Sequence, residues 1–204
     1  PMFANMIKNK QKVVGLVKLS FSLIFVPSII VGVACFSFAN EITSALYKGS
    51  EDASQVLGIL MFCFVAIAIT YIFGTLLTAN GSLKTLNQLA IGGMILNVAL
   101  NFILIPHYKA EGSAVASLIT QVIIVLLQIS IAKKIFNFSI NYKFIVTVVL
   151  YVALLIGIVN GIKMSNATFL TQLGLFVLMA GVLSLLMRIV NFKKMSHFFA
   201  KQPN

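Results

Sequence analysis

Charge is what this sequence has least of. Only 9% of its 204 residues are charged and 60% are hydrophobic, whereas soluble globular domains carry about 25% charged and about 45–50% apolar residues. A soluble domain of this length has too little interior to hide so much apolar surface, and its exterior would lack the usual charge. The composition therefore argues against a soluble fold and makes lipid the expected solvent.

Acidic, histidine and cysteine side chains are also scarce, with four, two and two in the whole chain. Cys35 and Cys63 lie inside apolar runs, where we expect them to pack between helices as small hydrophobic side chains. His107 and His197 fall on opposite sides of the predicted membrane, and no run of the sequence clusters Cys, His, Asp or Glu. We therefore predict no metal site, no cofactor, no enzyme activity, and no proton or sodium relay within this segment.

Long uncharged apolar runs are abundant. A bilayer core about 30 Å thick is crossed by about 20 apolar helical residues, and six stretches qualify without any Asp, Glu, Lys, Arg or His. None of them shows the alternation of apolar and polar residues that is typical of barrel strands. The sequence predicts an all-α fold, a polytopic membrane helix bundle of six transmembrane helices. Their predicted bounds are 19–39, 55–78, 86–105, 112–132, 144–162 and 167–187.

The net charge of +11 is explained by membrane topology better than by nucleic-acid binding, because the cations lie between the apolar runs. Counted on alternate sides of six helices, twelve cations lie on one side and three on the other, and all four acids lie on the cation-poor side. The positive-inside rule then predicts that both ends of the chain are cytoplasmic. The twelve are Lys8, Lys10, Lys12, Lys18, Lys84, Lys133, Lys134, Lys143, Arg188, Lys193, Lys194 and Lys201; the three are Lys48, Lys109 and Lys163.

Three amide side chains lie deep in the predicted helices. Asn97 and Asn101 are one turn apart on one face of the third helix, and Gln121 lies on the fourth at a similar depth of about 12–13 Å. Because only 106–111 connects these helices, we expect antiparallel neighbours that bring Asn97 and Gln121 together near the bilayer midplane. Two interpretations stay open: the amides hold the helices together by hydrogen bonding, or they line a hydrophilic cavity that contacts a polar substrate.

Lys18, at the cytoplasmic mouth of the first helix, also has two interpretations. It contacts an anionic head group or diphosphate, or it only extends to the membrane interface. Pro27, in the middle of the same helix, is expected to kink it.

Small residues that recur every four positions predict a packed bundle, because they allow helix backbones to approach closely. They are Ala66, Thr70, Gly74 and Thr78 in the second helix, Gly112, Ala116, Ser113 and Ser117 in the fourth, and Gly157 and Gly161 in the fifth.

The segment 78–117 carries a distinctive arrangement. It begins TANGSLK at 78–84, continues as ILNVALNFILIP at 95–106, and has Tyr108 before a GSAVAS start to the next helix. With these features it resembles the C-terminal half of bacterial polysaccharide (O-antigen) flippases of the multidrug/oligosaccharidyl-lipid/polysaccharide exporter superfamily. The similarity covers most of 1–135. Lys109 stands where that family usually has Gly, and Ser113 where Ala is usual.

The resemblance implies a two-lobed transporter of twelve to fourteen helices, of which this chain supplies the last six. The C-lobe helices would occupy 1–135, and 136–204 would form two additional transmembrane helices and a cytoplasmic tail. Pro1 is not a translation start, and we expect the chain to be the C-terminal piece of a longer protein.

The resemblance also implies a function. The protein would translocate undecaprenyl-diphosphate-linked oligosaccharide, such as O-antigen repeat units, from the cytoplasmic to the periplasmic leaflet of the bacterial inner membrane by alternating access. The expected partners are this lipid-linked substrate, the bilayer and the N-terminal helices of the same protein, with no nucleic acid. The candidate cavity residues are Asn97, Asn101, Gln121 and Lys18.

Other functions remain open. A lipid II flippase and a cation-coupled multidrug exporter belong to the same superfamily. Carboxylates in the N-terminal lobe would favour the exporter, whereas Lys and Arg residues in the cavity would favour the oligosaccharide flippase. A membrane enzyme, such as a polysaccharide polymerase or acyltransferase, would need a long periplasmic loop or an intramembrane group of Arg, Asp or His, and the longest outer loop here is 40–54. A purely structural role would predict that export continues without the protein.

Overall fold

The apolar runs of the sequence form long helices. The computed structural model describes residues 2–46, 51–138, 142–165 and 167–189, and the regular elements within those ranges are helices. Five of them are long and apolar enough to cross a membrane, which confirms the predicted all-α, multi-pass fold. The helices are α1 (Met2–Lys8), α2 (Val14–Ser37), α3 (Ala39–Leu46), α4 (Glu51–Ala79), α5 (Leu83–Phe136), α6 (Tyr142–Lys163) and α7 (Phe169–Leu186).

The longest helix, α5, is a hairpin of two arms. At Lys109 the backbone leaves the helical region, with φ 50° and ψ −126°. Beyond this residue the chain runs back along itself, because Asn97 Nδ2 lies 3.5 Å from Thr120 Oγ1 and a Cβ on Gly112 would lie 2.5 Å from the Leu104 carbonyl oxygen. We call 83–108 the first arm and 110–136 the second arm. Each is about 40 Å long at 1.5 Å per residue, enough to cross a bilayer core.

Six crossings were predicted as six separate helices, whereas the described part of the chain has five helices that are long and apolar enough to cross a membrane. The difference arises because the third and fourth apolar runs are the two arms of α5. The predicted connector 106–111 is also too long, since the helix continues on both sides of one non-helical residue, Lys109. The predicted outer loop 40–54 is likewise mostly helical: α3 extends through Leu46, and α4 begins at Glu51.

The chain divides into two units, Pro1–Ile140 and Asn141–Asn204. In the first unit α4 is the central helix and packs most extensively on α5 and α2, with Leu76 and Leu77 fully buried. In the second unit α6 packs on α7, and Tyr151 and Phe176 are fully buried. The Tyr151 hydroxyl donates a hydrogen bond to the Ala180 carbonyl oxygen at 3.2 Å, which satisfies its polar end between the two helices.

Helix directions in the first unit bring several lysines to the same end. α2 and α4 are antiparallel, because Gly32 lies against Val65 and Gly58 lies against Phe36. A tight turn at Gly81, with φ 78°, joins the end of α4 to the start of α5. The start of α2, the end of α4 and both ends of α5 therefore share one end of the unit, as the charge count requires. The lysines at this end are Lys18, Lys84, Lys133 and Lys134.

The small residues have unequal roles. Gly112 allows the arms of α5 to approach at their turn, and a Cβ on Gly74 would lie 3.9 Å from the side chain of Gln128. A Cβ on Gly157 or Gly161, in contrast, would meet nothing within 4 Å in the described part of the chain, so the close packing predicted there is not formed within the second unit. Pro27 lies inside α2, which continues through it from Val14 to Ser37.

Several residues used in the charge count lie outside the described residues. They are Lys48, Lys193, Lys194, Lys201 and, among the histidines, His197.

Candidate substrate cavity

A cavity of about 540 Å³ lies between the two arms of α5 and reaches α4. Six of its twelve lining residues carry an amide or hydroxyl group, and none of the twelve is charged. In helices that are mainly apolar, the cavity concentrates neutral hydrogen-bonding groups within a hairpin that is long and apolar enough to cross a membrane. Its lining residues are Thr70, Leu86, Leu89, Ala90, Gly93, Met94, Asn97, Ser117, Thr120, Gln121, Ile124 and Gln128.

The second arm of α5 supplies most of the polar lining. Thr120, Gln121 and Gln128 follow Ser117 by three, four and eleven positions, so all four fall on one face of the helix. At 1.5 Å per residue this polar face extends for about 16 Å along the helix axis. The arrangement is a strip of neutral polar groups rather than a single point contact.

Asn97, from the first arm, faces this strip. Its amide nitrogen lies 3.5 Å from Thr120 Oγ1, beyond the usual 2.7–3.2 Å range of an N–H···O hydrogen bond. Interhelical hydrogen bonds in membrane proteins contribute on average about 0.6 kcal/mol, and a bond this long contributes less. The predicted antiparallel pairing of the two helices is correct, but the polar contact of Asn97 across the hairpin is to Thr120 rather than to Gln121.

Asn101 lies behind the cavity. Its amide nitrogen donates to both the backbone oxygen and the side-chain oxygen of Asn97, each at 2.9 Å. These bonds fix the orientation of the Asn97 carboxamide. Asn101 itself lines a separate, mainly apolar groove of about 360 Å³ that also includes Phe102 and Pro106. Asn101 was predicted to line the cavity. The structure instead places it in contact with Asn97, which does line the cavity.

Lys18 is not among the residues that line the cavity. It is exposed near the start of α2, and its backbone carbonyl accepts a hydrogen bond from Ser22 Oγ at 3.0 Å. Of the four predicted site residues, the structure thus brings together Asn97 and Gln121 in the cavity, places Asn101 next to Asn97, and leaves Lys18 at the lysine-rich end.

Gln128 is a cavity residue that sequence reasoning missed. Its side chain is only 5% exposed, and its Oε1 atom is buried without a hydrogen-bond partner among the described residues. Together with Thr70, it also lines a second cavity of about 400 Å³ that follows α4. The spacing of seven between Gln121 and Gln128 was a usable signal, because it places both amides on one helix face. The position of Gln128 alone does not predict a cavity residue, because it lies only five positions before Lys133, and polar residues are expected near the membrane interface.

No group of three or more His, Cys, Asp or Glu side chains suited to a metal ion occurs in the part of the chain that the structure describes. The sequence matches no protein-family model, and neither a curated protein nor a solved structure matches it. The chemistry of the cavity is therefore the basis for a functional assignment.

Proposed function

We propose that the chain is the C-terminal part of a flippase that moves lipid-linked oligosaccharide across the bacterial inner membrane by alternating access. The observation that carries this proposal is the neutral, amide- and hydroxyl-lined cavity inside a membrane-spanning hairpin. Polar side chains at membrane depth are costly and commonly mark substrate paths. The resemblance of 78–117 to polysaccharide flippases, which includes Asn97 on the cavity wall, supports the same function.

A saccharide suits this lining. Sugar hydroxyls both donate and accept hydrogen bonds, and so do the amides of Asn97 and Gln121. The saccharide part of the substrate is neutral and needs no opposite charge, which agrees with the absence of charged residues from the cavity lining. On the first arm, Ile95 and Phe102 are 61% and 78% exposed, and such apolar side chains suit a lipid tail that stays in the bilayer.

The two alternatives differ in how they fit the cavity. A cation-coupled exporter needs carboxylates or other ion ligands, and the 540 Å³ cavity contributes none. A lipid II flippase would use the same saccharide-binding chemistry as an O-antigen flippase. The cavity therefore favours a glycolipid substrate over a cationic drug, and the identity of the saccharide is left to a transport assay.

We also propose that the lysine-rich end of the first unit faces the cytoplasm. Lys18, Lys84 and Lys133 share that end, and cytoplasmic segments of membrane proteins are enriched in Lys and Arg. Both ends of this chain would then be cytoplasmic, and the turn at Lys109 would lie on the periplasmic side.

The function is tested in bacterial cells that lack the full-length protein and any redundant flippase. Lipid-linked repeat units are expected to accumulate in the cytoplasmic leaflet, and the unaltered gene is expected to restore their transfer. Asn97→Leu and Gln121→Leu should each lower the transfer rate about tenfold, since loss of one hydrogen bond of about 1.4 kcal/mol in the transition between leaflets has that effect.

Gln88→Leu is the matched control, because Gln88 lies on the exposed side of the first arm outside the cavity lining. It should transfer repeat units at the normal rate when membrane levels of all variants are equal. Normal arrival of repeat units in the periplasm of the deletion strain would show that the protein is not their flippase.

A further inference from the structure

We propose that Gln128 is a ligand-contact residue whose side-chain oxygen accepts a hydrogen bond from a hydroxyl group of the saccharide. This inference rests on the proposed function and deepens it, because it names both the contacting atom and the substrate group. Gln128 Oε1 is buried without a hydrogen-bond partner among the described residues. Buried polar atoms are nearly always hydrogen-bonded in native proteins, so an acceptor left without a donor calls for an explanation.

The neighbouring hydroxyl groups do not supply that donor. Thr70, which lines the same two cavities, donates its hydroxyl proton to the Ala66 carbonyl oxygen at 2.9 Å. Thr120 donates its own to the Ala116 carbonyl oxygen at 2.8 Å. A hydroxyl group has a single proton to donate, so both are already used within their own helices.

Among the described residues, no group on the opposite wall donates a hydrogen bond to this oxygen. On α4, a Cβ at Gly74 would lie 3.9 Å from both Oε1 and Nε2 of Gln128. The absence of a side chain at Gly74 leaves space beside the amide. A molecule that enters the cavity can then supply the donor for Oε1.

The chemistry of the cavity selects a neutral donor. A cationic donor would lose its hydration inside the membrane without gaining a carboxylate, since the lining contains none. A hydroxyl group carries no such desolvation cost and can also accept hydrogen bonds from the amides of Gln121 and Asn97. A polyhydroxylated ligand is therefore favoured.

The position of Gln128 also suits a substrate that moves. Gln128 and Thr70 line both the cavity of about 540 Å³ and the cavity of about 400 Å³, so they form the boundary between the two. A saccharide that moves between the two cavities along this boundary would contact the Gln128 amide.

The test uses the full-length protein in lipid nanodiscs and a photoreactive alkyl β-maltoside as the probe. Gln128→Met removes the amide with little change in side-chain volume. It is expected to raise the Kd for saturable photolabelling about tenfold, which corresponds to about 1.4 kcal/mol. Gln88→Met, at the exposed position on the first arm, should leave the Kd unchanged. An alkyl diphosphate competitor distinguishes the head group, because it should compete less well than an unlabelled alkyl maltoside of equal chain length.

The melting temperature separates a contact role from a structural one. Because Oε1 has no protein partner, replacement by Met should leave the melting temperature unchanged or raise it. Unchanged labelling of Gln128→Met, or no saturable labelling of the unaltered protein, would overturn the inference. A lower melting temperature with unchanged labelling would instead assign Gln128 a packing role, which also overturns it.

The failure of this inference is distinguishable from the failure of the proposed function. If labelling depends on Gln128 while repeat units still reach the periplasm without the protein, the contact stands and the flippase function is wrong. If transfer of repeat units requires the protein but Gln128→Met labels normally, the function stands and the contact is wrong.

Discussion

The chain reverses direction within α5 at Lys109, whose backbone has a conformation that residues other than glycine rarely adopt. Its φ of 50° combined with a ψ of −126° lies outside the small left-handed region open to ordinary residues. Such a conformation costs about 1–3 kcal/mol for a residue with a Cβ. Glycine, which has no Cβ, would adopt this conformation without that cost.

Lys109→Gly should therefore stabilise the protein by about 1 kcal/mol. The substitution releases the backbone strain, and part of that gain is offset by the larger conformational entropy that glycine loses on folding. For a chain of this size, that is a rise of about 2–4 °C in melting temperature in detergent. Lys134→Gly, at an exposed position in the last turn of the second arm, should lower the melting temperature instead, because glycine is less favourable than other residues in a helix. Equal effects at the two positions would show that Lys109 is not strained.

At the level of single residues, the sequence predicted part of the candidate site. Asn97 and Gln121 were predicted because an amide near the middle of an apolar run is conspicuous. Gln128 was missed because only the packing of α4 shows that it is 5% exposed and without a donor. The supporting role of Asn101 was also beyond sequence, since it depends on which rotamer brings its amide nitrogen within 2.9 Å of Asn97.

The α5 hairpin depends on one close approach between its arms. A Cβ on Gly112 would lie 2.5 Å from the carbonyl oxygen and 2.7 Å from the carbonyl carbon of Leu104. Both atoms belong to the backbone, so they cannot rotate away, and the arms must separate to admit even a methyl group. Gly112→Ala should destabilise the protein by about 2–3 kcal/mol, at the upper end of the cost of overpacking.

Gly92→Ala is the matched control on the first arm, because a Cβ there would meet nothing within 4 Å. It should stabilise the helix by up to about 1 kcal/mol, the difference between alanine and glycine in helix propensity. Melting temperatures of both variants in the same detergent test the pair. A Gly112→Ala protein as stable as Gly92→Ala would show that the arms are not in backbone contact at the turn.

Helices were predicted well where hydrophobicity alone decides them. The predicted 144–162 and 167–187 differ by only one or two residues from α6 (Tyr142–Lys163) and α7 (Phe169–Leu186), because the length of an apolar run sets the length of the helix. The polar α3 was missed, since it has no long apolar run of its own and its packing on α4 is a tertiary property. For the same reason, the spacing of Gly157 and Gly161 suggested a contact that α7 does not make.

At the scale of the whole molecule, two different properties of the sequence agree. The uncharged runs fix how often the chain crosses the membrane, and the lysines between them predict which side each end occupies. The first unit brings Lys18, Lys84, Lys133 and Lys134 to one end through the packing of α2 on α4 and of the two arms of α5 on each other. This packing agrees with the charge pattern, as a single insertion topology requires.

That topology predicts the labelling of single cysteines in intact cells. In a Cys35→Ala, Cys63→Ala background, His107→Cys should react with a membrane-impermeant maleimide from outside, because the turn at Lys109 is expected in the periplasm. Lys84→Cys should react only after the inner membrane is permeabilised, since a cation-rich end is retained in the cytoplasm. Both positions are exposed, so a difference between them reports sidedness rather than burial. Labelling of Lys84→Cys from outside, with His107→Cys protected, would reverse the orientation, and equal labelling of both would contradict a hairpin that crosses the membrane.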